Sequence, residues 1–136
     1  MLLRTMILAF GAIVLFFNPF LVHPSSVEQK GAPIYRLMLQ GNLANDSVTL
    51  SKNNTTQGDA DSSMHALVSA RKEFDAVLPS ALKAAEKHGG LTVAIKEYYA
   101  AQSAYLSGAD PSDRRGRANV AEKESRLKLE LQLAGF

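Results

Sequence analysis

The hydrophobic pattern of this chain changes twice, and each stretch predicts a different kind of element. The first is nearly continuous. "TMILAFGAIVLFFNPFLV", residues 5–22, carries no charge and is densest at Met6, Ile7, Leu8, Phe10, Ile13, Val14, Leu15, Phe16 and Phe17. Apolar surface of that extent is costly to keep in water, and crossing a bilayer takes roughly 17–25 such residues. Two readings fit. With Arg4 on the cytoplasmic side, the run is a signal anchor, a transmembrane helix oriented by its flanking charge. With Asn18-Pro19 as a breaker behind residues 6–17, it is a signal peptide. The "FLVHPSSVEQ" that follows offers only Ser25 and Ser26 as small residues for cleavage. In both readings residues 1–24 lead the rest out of the cytoplasm. The result is a single-pass membrane protein with an extracytoplasmic domain, or a secreted or periplasmic one.

The second stretch, residues 25–61, has no sustained period. "HPSSVEQKGAP" is loop-like in its Pro, Ser and Gly content. "IYRLMLQ" brings Ile34, Leu37 and Met38 close together, and suits a short strand near residues 34–40 or a brief amphipathic helix equally well. "GNLANDSVTLSKNNTTQGDADSS" is polar and reads as a flexible spacer. Asn-x-Ser/Thr triplets start at Asn45, Asn53 and Asn54. A tract so rich in Asn and Thr produces such triplets by chance, so they carry little weight as glycosylation sites.

From residue 62 the period becomes helical and stays so. Met64, Leu67, Val68, Phe74, Leu78, Ala81, Leu82 and Ala85 recur at steps of three and four. Ser62 or Ser63 is placed to cap the start, and Pro79 predicts a kink or a break. "EKHGG" ends this segment, with Lys87 and His88 at the negative end of the dipole and Gly89 free to take positive φ. A second helix follows with Thr92 as its cap. Ala94, Ile95, Tyr98, Tyr99, Ala101, Gln102, Tyr105 and Leu106 share its inner face, and Gly108 stops it. "ADPSD" opens a third, with Asp110 as cap and Pro111 at the first helical position.

The chain's last residues, "SRLKLELQLAGF", alternate apolar and polar like a strand. Helix is the better reading. Glu122 precedes Arg126, and Glu124 precedes Lys128, by one helical turn in the favourable order, each pair worth roughly 0.2–0.5 kcal/mol. Val120, Leu127, Leu131 and Ala134 then form one stripe, which leaves Leu129 and Leu133 outside it as a second contact face. The predicted fold is all-α: a membrane segment over 1–24, a linker over 25–61, and a small up-down-up three-helix domain over 62–136.

Composition narrows the chemistry. A formal net charge of +2 over 136 residues falls short of a nucleic-acid binder. The absence of cysteine excludes disulfides, thiolate metal sites and a thiol nucleophile. His23, His65 and His88 are scattered without metal-ligand spacing, and no serine lies in a nucleophile motif. No catalytic residue, metal, cofactor or small-molecule substrate is therefore expected. Two features remain. Tyr98, Tyr99 and Tyr105 lie on the inner face of the second helix, where aromatic stripes usually fill a core; their other reading is a partner interface, alongside Leu129 and Leu133. Arg114, Arg115 and Arg117, in "DRRGR", are solvated charge by default, with anionic lipid or proteolytic processing in a loop as alternatives.

The expected function is that of a non-enzymatic envelope protein, exported or membrane-tethered. Its helical domain serves as an interaction module that self-associates or docks a protein partner. The rivals are a secreted peptide precursor cut near Arg117 and a protein that binds anionic membrane surfaces.

Overall fold

The computed structural model describes residues 26–53 and 57–136, and these form four α-helices and no strand. In chain order they are α1 (Ser26–Asn53), α2 (Gln57–Ala84), α3 (Gly89–Gly108) and α4 (Arg114–Leu133). Short connections make successive helices antiparallel. α1 pairs along α2 and α3 along α4, and α3 also touches both helices of the first hairpin. The apolar run at residues 6–17, expected to enter a membrane, lies outside the described residues. Among the described residues no helix is long and apolar enough to cross a membrane.

The largest departure from the sequence reading is α1. Residues expected to form a flexible linker, with a strand near 34–40, instead form a helix of 28 residues. Ile34, Leu37, Met38, Ala44 and Val48 are all buried, and so is Gly41. Those positions recur at three and four, but Gly41 and Ala44 are small, and the intervening Asn and Ser residues mask the period. Packing against α2 overrides the weak intrinsic preference. The domain is thus a four-helix bundle of two antiparallel hairpins, in place of the three helices expected.

α2 begins at Gln57, upstream of the expected caps Ser62 and Ser63, and runs through Pro79 as one helix. Leu67, Phe74, Ala81 and Ala85 of the expected stripe are buried, together with Val77. Met64 and Val68 are exposed instead, and α3 explains why. Arg71 donates to Ser107 Oγ at 2.9 Å, and Asp75 accepts from the Tyr99 hydroxyl at 2.8 Å. One face of α2 therefore lies on α3. Val68 and Met64 continue that face past the end of α3 at Gly108, where none of the described helices covers them.

α3 starts earlier than expected. His88 holds the N-cap position with no side-chain cap, while the Thr92 hydroxyl donates to Ala85 O at 2.8 Å. Gly108 stays within the helix, and the left-handed residue that ends it is Ala109, at φ 48°. α4 is capped by Asp113 rather than Asp110: Asp113 Oδ1 accepts from Gly116 N at 2.9 Å. Asp110 closes the preceding turn, accepting from Ser112 N at 2.9 Å. Val120, Leu127 and Leu131 are buried as expected, and helix persists to Leu133. At its end Phe136 turns back onto the bundle. Its ring stands edge-on to His88 at 5.1 Å, and its carbonyl accepts from the Tyr35 hydroxyl at 3.3 Å.

Candidate functional site

The most specific arrangement in the bundle is a polar layer inside it. Tyr98 and Gln102 stand one turn apart on α3, both fully buried, and Gln102 Nε2 donates to Tyr98 Oη at 3.1 Å. Phe74 of α2 meets Tyr98 edge-on at 6.1 Å and stacks on Tyr99 at 5.2 Å. α1 admits this layer because residue 41 is glycine. A β-carbon there would collide with Tyr98 Oη and approach Gln102 Nε2 to 2.6 Å.

Burial pushes the Tyr98 phenol up to about 12, with the Gln102 hydrogen bond pulling down and the Glu124 charge pushing up. Tyr99 and Tyr105 are also raised, burial again being the main cause. A phenol so far above its ordinary range stays neutral at physiological pH. Its role here is to fill and hydrogen-bond a core. Tyr98 and Tyr105 are therefore withdrawn from the expected partner interface, because their side chains lie within the bundle. Tyr99 is half-buried and tied to Asp75.

A groove runs between α1 and α4. Near its lower end, Tyr35, Met38 and Leu39 of α1 and Leu131 of α4 wall an apolar cleft of about 410 Å³. Further along, Asn45, Asp46, Arg117 and Glu124, with Tyr105 and Val120, line a mixed one of about 210 Å³. The Asn45 side-chain oxygen is enclosed there without a hydrogen-bond partner among the described residues. Among the described residues no group of three or more His, Asp or Glu side chains gathers to hold a metal ion.

The outer surface carries the remaining candidates. Leu129 is 49% exposed and Leu133 71% exposed, on the side of α4 turned away from Val120, Leu127 and Leu131. α1 has a comparable row in Tyr35, Leu39, Leu43 and Leu50, all about half exposed. The sequence reading missed this row, since it depends on recognising α1 as a helix. Arg114, Arg115 and Arg117 are exposed on the opening turns of α4. They lie within a capped helix rather than in the loop that proteolytic processing would favour. The polar layer and the leucine rows are brought together by the same four helices; of the arginines, Arg117 reaches the α1–α4 groove and Arg115 faces the other side of α4.

No family model matches this sequence, and no curated protein or solved structure matches it either. The class defined by the fold is an all-α antiparallel four-helix bundle.

Proposed function

We propose that this protein is a non-enzymatic helical interaction module of the cell envelope. The uncharged run at residues 5–22 serves to anchor it or to export it, and the bundle works by contact through its exposed leucines. The observation that carries this reading is the placement of Leu129 and Leu133. They occupy the back of α4, among charged neighbours, where they add nothing to the core of the isolated chain. Large apolar side chains held together on a polar surface mark contact sites. Docking of a protein partner or of another copy at Leu129 and Leu133 is tested by the double variant Leu129→Glu, Leu133→Glu. Association should weaken while helical content, read by circular dichroism, stays unchanged. Sedimentation identical to that of the wild type overturns the assignment.

One further reading has an observation behind it. Arg114, Arg115 and Arg117 are all exposed on the opening turn of α4, and basic residues so near one another in sequence suit anionic lipid headgroups. Flotation with anionic liposomes should then fall as salt rises, and salt-independent flotation would rule it out.

A further inference from the structure

We infer that the outer face of α1 is a docking surface for α1 of a second copy of this chain, with the two helices antiparallel. This rests on the interaction reading above and names the partner and the geometry for a surface separate from Leu129 and Leu133. Tyr35, Leu39, Leu43 and Leu50 lie on the side of α1 opposite the buried Ile34, Gly41 and Val48, and each is about half exposed. Their alignment on one face of one helix, interrupted only by Asp46, distinguishes them from the scattered exposed leucines that any protein carries.

Charge decides the orientation. Arg36 lies beside this row and Asp46 falls within it, one turn from both Leu43 and Leu50; both are exposed, and neither takes part in an ion pair among the described residues. They stand at equal distances in sequence on either side of Gly41, and so do Leu39 and Leu43. A two-fold axis at the height of Gly41 therefore brings Leu39 level with Leu43 of the other copy. It also brings Arg36 level with the other copy's Asp46, and symmetry makes each contact twice. A parallel copy would set Arg36 level with Arg36 and Asp46 level with Asp46, and like charges disfavour it. A contact made mainly by one helix from each copy falls below the standard interface size of roughly 1,200–2,000 Å². The dimer is accordingly weak and concentration-dependent.

The chain contains no cysteine, so introduced thiols report proximity without background. The test uses the full chain in mild detergent, followed by sedimentation velocity and by oxidative cross-linking. Arg36→Asp and Asp46→Arg should each weaken dimerisation about tenfold, and the double variant Arg36→Asp, Asp46→Arg should return it close to the wild-type value. Leu39→Cys, Leu43→Cys should form a disulfide-linked dimer at concentrations where Ser80→Cys, on an exposed site of α2, remains monomeric. Circular dichroism checks that each variant stays folded. Failure of the double charge reversal to rescue, or cross-linking no better than that of Ser80→Cys, overturns the antiparallel pairing. A membrane surface or an unrelated partner covering this face would give that result. If the wild type still associates, the interaction role stands without this geometry. A wild type that is monomeric at every concentration overturns both.

Discussion

The hydroxyl of Tyr98 occupies the space that a β-carbon on Gly41 would fill. α1 and α3 meet closely at this point, and a glycine in the middle of a helix finds its reason there. Glycine at a helix interior costs roughly 1 kcal/mol relative to alanine, so replacing it would ordinarily stabilise α1.

Gly41→Ala is expected to do the opposite. Tyr98, Gln102 and Phe74 would all have to shift, and overpacking of this kind costs about 1–3 kcal/mol, which outweighs the gain in helix propensity. Gly89→Ala, where nothing lies within 4 Å of the added carbon, serves as the control and should leave stability unchanged or improved. Chemical denaturation midpoints measure both. A stabilised Gly41→Ala would show that the polar layer does not press on α1.

Little of this was legible in the sequence. The inner face of α3 was, because Ala94, Ile95, Tyr98, Ala101, Gln102, Tyr105 and Leu106 recur at helical spacing among good helix formers, and all are buried. The stripe of α4 was legible for the same reason. α1 was not, since its contact positions include Gly41 and Ala44, which carry no strong hydrophobic signal, and its Asn residues mimic a spacer. Its helicity comes from α2, and a contact distant along the chain leaves no local period. Val68 and Met64 failed differently: their pattern was read correctly, but only tertiary structure reveals that α3 stops short of them.

Alkaline pH should reveal Tyr98. Unfolded, its phenol titrates near its ordinary value of 10.0; folded, it holds its proton to about 12. Stability from this group is complete below pH 10 and is lost as pH rises through that window, because the unfolded chain releases its proton first. The loss is on the order of 2–3 kcal/mol. Tyr99 and Tyr105 act in the same direction. Unfolding free energy measured across this range should fall, and Tyr98→Phe should flatten the slope. An unchanged slope in the variant would assign the effect elsewhere.

Ala109 ends α3 in the left-handed region at φ 48°, a conformation that costs a residue with a β-carbon roughly 1–2 kcal/mol. Ala109→Gly should relieve that strain and raise stability by about 1 kcal/mol, against the cost of a looser unfolded chain. Thermal melts of the two proteins provide the comparison. A lower melting temperature would mean that the α3–α4 turn draws support from the alanine side chain.

Asp113 anchors the start of α4 through Gly116 N while Arg114, Arg115 and Arg117 crowd the positive end of the same helix dipole. Asp113→Ala removes both the cap and the compensating charge. The expected cost is about 1 kcal/mol, read from the shift in denaturation midpoint, and a neutral result would show that the turn at Asp110 suffices to start the helix.

The central claim is that this bundle acts by contact through leucines its own core does not use. Sedimentation velocity of the full chain in mild detergent, over a series of concentrations, tests it most directly. The wild type should sediment as an assembly that grows with concentration, and the Leu129→Glu, Leu133→Glu protein should sediment more slowly with its helicity intact. A wild type that runs as a monomer throughout, indistinguishable from the double variant, would contradict the account.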